Sequence, residues 1–255
     1  MIKKISFVLL TAVLFFISSL EKPACAGGGE VITVAAASSF SFALKEIAEA
    51  FSRGNHTAVK LVFGSSGILA RQIERGAPFD VFISANKIFI DDLVRHGSVS
   101  GGSVRAFADG AIVLAMLRGY SNDLRGLEDL TGKDIGRVAI ANPLHAPYGR
   151  AAVEALKSAG VWEGVRTKLV YGENVRQTLQ FVESGNVDAG IIALSVAKRE
   201  GIRIVPLDRA LHKPILQSVA VVGTTVHKNA AEKFIRYLTG DAAISILKKY
   251  GFTRP

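Results

Sequence analysis

Four short stretches of this chain place hydrogen-bond donors together at the start of a helical pattern. In "VITVAAASSF", Val31–Phe40, a strand-like run ends in Ser38 and Ser39 and a helical pattern follows at once. "FGSSGILARQI", Phe63–Ile73, repeats the order of strand, small residues, two serines (Ser65 and Ser66) and helix. In "NPLHAPYGRAAVEAL", Pro147 suits the first position of a helix and leaves the Tyr148 and Gly149 N–H groups free. In "GENVRQTLQFV", Asn174 reads as an N-cap with Gln177 three residues on, which leaves the Val175 N–H free. The first turn of a helix carries unpaired N–H groups and a partial positive charge. Such turns can hold an anion.

A serine at a helix mouth is also an ordinary N-cap, so neither Ser38 nor Ser39 alone argues for a ligand. The repetition across four turns does. A shell of hydroxyls and amides with no carboxylate suits a fully deprotonated tetrahedral oxyanion, which offers only acceptors. A protonated phosphate would also need an acceptor, and the two serine turns contain no Asp or Glu. Gly64 and Gly67 would let the backbone come close to such a ligand.

The elements that must position these turns alternate along the chain. Strand-like segments rich in β-branched residues fall at 31–35, 59–63, 81–84, 111–117, 137–141, 168–171, 189–192, 202–205 and 216–222. Between them Phe40, Leu44, Ile47, Ala48 and Phe51 share one helical face, as do Val175, Leu179 and Val182, and later Ala231, Phe234, Ile235 and Leu238. This alternation predicts an α/β protein with mostly parallel sheets, whose ligands sit at the carboxyl ends of strands. Without a flexible linker, two lobes joined by strand-like crossings are expected. The divisions are 27–106 plus 215–255 for one lobe and 107–214 for the other, with a return near Pro214.

The first 26 residues read as an export signal: Lys3 and Lys4, an apolar run from Ile5 to Leu20, and Ala24-Cys25-Ala26 as a small-residue cleavage site. Lipidation at Cys25 is the competing reading, which Lys22-Pro23-Ala24 argues against for want of an aliphatic residue. Cleavage would leave 229 residues without any cysteine, so no intramolecular disulfide can form. The whole chain carries +9 and the leader +2, leaving +7. No run of Lys and Arg interleaved with aromatics points to nucleic acid.

Other residues invite chemistry and have plainer explanations. Arg71 lies one turn into a helix, where a surface or inter-lobe role is expected. His145 has no second histidine at metal-ligand spacing, so no cation site is expected. Ser66, His145 and an aspartate could be drawn as a hydrolase triad, but "GSSG" is not the G-x-S-x-G turn.

Taken in order, "ITVAAASS", "LARQIERGAPFDVFIS", "NPLHAPYG", "ENVR" and "LKKYGFT" make the chain resemble the periplasmic molybdate-binding proteins of ABC transporters, from about Val31 to Thr253. The resemblance implies a type 2 periplasmic-binding fold whose two lobes close over molybdate or tungstate. It implies no cofactor, no enzymatic activity, an ABC permease as partner, a monomer, and a periplasmic location. Position by position, the family's binding hydroxyls fall on Ser38 and Ser66 and its backbone donors on Tyr148 and Val175. Ser39 is added for its place beside the first hydroxyl. Some members carry a tyrosine in the segment that reads "GIIALS" here, and that position is Ala193. A sulfate or other oxyanion binder is the alternative that this departure keeps open.

Overall fold

The computed structural model describes residues 29–120 and 123–255, so the leader and Cys25 lie outside the described residues. The chain begins with β1 (Glu30–Ala37), α1 (Ala43–Asn55), β2 (Thr57–Gly64), α2 (Ser66–Glu74), β3 (Val81–Ser84), α3 (Lys87–Arg95) and β4 (Arg105–Gly110). It continues through β5 (Ile112–Leu117), β6 (Val138–Ala141), α4 (Pro147–Ser158), α5 (Trp162–Val165), β7 (Leu169–Gly172) and α6 (Val175–Glu183). Then come β8 (Ala189–Ala193), α7 (Leu194–Ala197), β9 (Ile202–Pro206), β10 (Ile215–Val221), α8 (Lys228–Leu238) and α9 (Asp241–Lys249). Among the described residues no helix is long and apolar enough to cross a membrane.

The strands form two five-stranded sheets, ordered β2-β1-β3-β10-β4 and β7-β6-β8-β5-β9. Each is mixed and mostly parallel, with four strands running one way and one reversed. In the first, β1 pairs in parallel with β2 and β3, while β10 runs antiparallel to β3 and β4. In the second, β6 pairs in parallel with β7 and β8, while β5 runs antiparallel to β8 and β9. The antiparallel members are the strands next to the crossings: the chain leaves the first sheet through β4, crosses at Ala111 and returns through β10. The division at 106/107 falls inside β4. That strand, "RAFADG", contains no β-branched residue and ends in Asp and Gly, so it carries no local strand signal.

Packing explains why the two C-terminal helices complete the first sheet. Phe51 of α1 meets Phe234 of α8 edge to face at 5.2 Å, and Phe40 stacks on Phe252 at 4.8 Å and on Phe107 at 5.7 Å. Thr253 and Asp109 exchange backbone hydrogen bonds of 2.8 and 3.0 Å, fastening the last residues to β4. Beneath the sheet, buried Asp80 accepts from the Thr33 N–H at 2.6 Å and from the Thr225 hydroxyl. The parallel strands matter most for function. Neighbours that run the same way end on the same side, about 4.8 Å apart, so the loops following β1 and β2 lie side by side. The loops following β6, β7 and β8 do the same in the second sheet.

Candidate anion-binding site

All four donor turns open from these strand ends, and the two sheets bring them face to face. Ser38 and Ser39 do not cap a helix. They form a 3-10 turn with Phe40, and α1 starts only at Ala43. This turn rests against α6 and α7 of the second sheet. The Ser39 carbonyl accepts a hydrogen bond from the Ser195 hydroxyl at 2.8 Å, while the Ser39 hydroxyl is buried without a protein partner among the described residues.

Ser65 holds the N-cap position of α2, yet its hydroxyl does not cap; it bonds His145 Nδ1 at 2.8 Å. Ser66, fully buried, accepts from the Ala85 N–H at 3.0 Å. A hydroxyl whose oxygen already receives a proton has its own proton free to donate. Gly67 serves a different purpose from the one its sequence context suggests. A side chain there would meet the backbone and Cβ of His145 at 3.0–3.1 Å, and its N–H donates to the His145 carbonyl at 2.9 Å. The glycine admits the opposing loop, not a ligand. Arg71 is exposed, beside His145.

In the second sheet Pro147 is the first residue of α4, and Asn174 caps α6 by accepting from the Arg176 and Gln177 N–H groups at 2.9 and 3.2 Å. Gln177 reaches back to the Glu173 N–H at 2.6 Å, one residue earlier than the usual capping box. Neither the Tyr148 nor the Val175 N–H has a hydrogen-bond partner among the described residues. Ala193 ends β8 fully buried, on the same side as the donor turns.

Ser38, Ser39, Ser66, Tyr148 and Val175 are only 4, 1, 0, 2 and 3 % exposed, so the molecule is described with its two halves closed. Aromatic contacts span the same seam. Phe42, from the first half, lies between the Arg176 and Arg199 guanidiniums at 4.7 and 4.6 Å, and Arg150 covers Phe89 at 5.2 Å. A cavity of about 220 Å³ opens on this seam, lined by Ser38, Phe42, Lys45, Phe63, Asn174 and Arg176 among others. Two cations and no carboxylate face it. Larger cavities, of about 400 and 480 Å³, lie away from the donor turns.

His145 gives the seam a pH dependence. Burial holds its imidazole below the ordinary 6.5; Arg71 and Arg150 act the same way, and Glu173 opposes them. The closed molecule therefore disfavours the protonated ring, whose Nδ1 can only donate. Contact with Ser65 is at full strength above pH 6.5 and weakens as the pH falls from there through the lower closed-state value. Anion affinity is expected to drop several-fold between pH 7.5 and 5.5, and His145→Asn should flatten that profile in a calorimetric series. Equal slopes in both proteins would remove His145 from the account.

The family model of bacterial extracellular solute-binding proteins matches residues 32–253. The molybdate-binding protein ModA of Azotobacter vinelandii is 34% identical over 236 residues, covering 90% of this chain and 92% of the relative. YvgL of Bacillus subtilis, whose name suggests an ABC transporter substrate-binding lipoprotein, is 33% identical over 87% of this chain and 86% of its own. The solved structure of the Azotobacter vinelandii periplasmic molybdate-binding protein superposes with a TM-score of 0.82 at 30% identity, covering 88% of this chain and 99% of that one. Its two-lobed fold is thus the one the described sheets build. The chain belongs to the bacterial extracellular solute-binding proteins, a family of binding proteins rather than enzymes, and within them to the family of the molybdate-binding proteins ModA.

Proposed function

We propose that this protein captures molybdate, and tungstate with it, between two lobes and delivers it to an ABC permease. The lobes are 27–106 with 215–255 and 107–214, each built on one sheet except that residues 107–110 of β4 extend the first sheet past the division. Ser38, Ser39 and Ser66 donate hydroxyls from the first lobe, and Tyr148 and Val175 donate backbone N–H groups from the second. The observation that carries this reading is the pairing of buried neutral donors from both sheets with no carboxylate among them. A desolvated dianion satisfied by fixed donors keeps its charge, and a wrong-sized anion leaves some of those donors unpaired. Lys45 and Arg176 at the mouth add attraction that salt screens.

Closure supplies the signal. The proposed donors are divided between the lobes, three in the first and two in the second, so only the closed form completes the shell, and binding shifts the population toward it. The export signal over residues 1–26 and the family together support a protein released outside the cytoplasm, in the periplasm. Cys25 as a lipid attachment point is the other way of holding it there.

Sulfate is the second reading, because Ala193 offers no hydroxyl where some relatives carry tyrosine. Calorimetric titration of ligand-stripped mature protein with molybdate, tungstate, sulfate and phosphate decides between them. Tight one-to-one binding of the two larger oxyanions alone is expected. Sulfate binding of equal strength would replace the reading, and silence from all four would end it.

A further inference from the structure

The cavity at the mouth of the seam carries a donor set of its own. Its polar lining comes from Ser41, Lys45, Asn174 and Arg176, with Phe42 and Phe63 as apolar walls, and it shares only Ser38 with the inner donor shell. The protein leaves these four donors uncommitted. Ser41 is only 5 % exposed, and its hydroxyl is buried without a hydrogen-bond partner among the described residues. Asn174 commits its carbonyl oxygen to the Arg176 and Gln177 N–H groups, so its NH2 end is left over. Neither Lys45 nor Arg176 forms an ion pair or a side-chain hydrogen bond among the described residues.

The two guanidiniums on the Phe42 ring differ in one respect. Arg199, at 4.6 Å, also pairs with Glu183 at 3.1 Å. Arg176, at 4.7 Å, has no such counter-charge. Stacking engages the flat face of a guanidinium and leaves its N–H edge available for paired bonds to an oxyanion. Closure sharpens the imbalance. Lys45 stands on α1, which packs on the first sheet, and Arg176 on α6, which packs on the second. Closing the halves therefore brings two like charges to one cavity lined by no carboxylate. Their repulsion opposes closure, and a dianion between them turns it into attraction. The acid beside Lys45 in the chain, Glu46, is engaged by Lys249 and Tyr250 at 2.9 and 3.0 Å. At about 220 Å³ the cavity exceeds several-fold the roughly 30 Å³ share of one liquid water, which gives room for an anion of four oxygens.

We propose that this cavity is a second oxyanion site, in which a tetrahedral dianion of the sulfate class bridges Lys45 and Arg176 and holds the halves shut over the anion inside. The inner shell is neutral and selects by size; the outer site is cationic and selects by charge. Its two cations meet only in the closed form. Outer and inner anions thus favour the same conformation, and each strengthens the binding of the other. In the ligand-free protein the outer site is not assembled, so sulfate alone binds weakly. This goes beyond the anion-binding reading and rests on it for the inner ligand.

The test follows release of labelled molybdate from the loaded mature protein into excess unlabelled molybdate. It is run with and without sulfate, at one ionic strength kept constant with sodium chloride. Millimolar sulfate should slow release about 5-fold, the low end of the usual coupling between two sites. Lys45→Gln, on an exposed side chain, should abolish the slowing while the ligand-free protein melts like the parent. Arg176→Lys keeps the charge and loses the stacked edge, so the sulfate effect should shrink. Arg199→Lys should retain it, because Glu183 already answers that charge. Release that sulfate does not change in the parent overturns the inference, as does slowing that persists in Lys45→Gln. Faster release with sulfate makes sulfate a competitor for the inner shell and overturns it as well. A parent that retains no molybdate overturns the anion-binding reading, and this inference with it. A parent that holds molybdate without any sulfate effect overturns this inference alone.

Discussion

Ser66→Ala is expected to lower molybdate affinity by about 10- to 100-fold, the worth of one hydrogen bond to a charged group at 1.4 kcal/mol per decade. The argument rests on the direction of one contact. The Ser66 oxygen accepts from the Ala85 N–H at 3.0 Å, which commits the serine proton to another partner. Full burial excludes bulk water as that partner when the lobes are closed. The same substitution removes the acceptor of a buried N–H, so the ligand-free protein should also lose about 1–3 kcal/mol of stability. These two effects separate cleanly. Calorimetry reads the first and thermal melting without ligand reads the second. A lowered melting temperature with unchanged affinity would make Ser66 a structural residue and move the donor to another group.

Gly149→Ala should do more damage to the fold than any other single methyl discussed here. The added carbon would overlap the Ala141 carbonyl at the end of β6, a backbone group that cannot turn aside. Helix α4 would have to lift from its strand, at an expected loss of about 3 kcal/mol or more. For a protein of this size that is a fall in melting temperature of about 6–12 °C. Anion binding should fail with it, because Tyr148 precedes Gly149 in the same turn and its N–H would leave the cleft. Gly54→Ala is the matched control. That glycine lies within α1 with nothing within 4 Å of the added methyl, so alanine should be neutral or raise stability by about 0.5–1 kcal/mol. Equal melting temperatures for the two variants would show that α4 does not need this close approach.

The donor turns were legible in the chain because their signals are local. Pro147 opens α4 as its fixed φ requires, and Asn174 caps α6 through N–H groups two and three residues away. The hydrophobic periods that place α1, α6 and α8 also act within single turns. Nine of the ten described strands announce themselves by β-branched runs, and alternation with helices is enough to imply α/β layers. Those facts hold whatever the rest of the chain does.

What the tertiary structure alone decided depends on partners far apart in sequence. Strand β4 exists because β10, more than a hundred residues later, offers it a ladder; its own residues would not form one. Ser38 and Ser39 read as caps, yet the chain turns through a 3-10 segment there, and the opposite half supplies Ser195 as a partner 156 residues away. Gly67 looked like a seat for a ligand and proves to be a seat for His145, and the Phe42 sandwich between two arginines leaves no trace in any local pattern. The Tyr148 hydroxyl and Gln217 could not be associated without the crossing that sets them both on Gly110. Sequence by itself determined which turns carry donors, since a backbone N–H at a helix start is free for purely local reasons. Only folding decided which of them face one another, since that depends on two sheets closing over a shared seam.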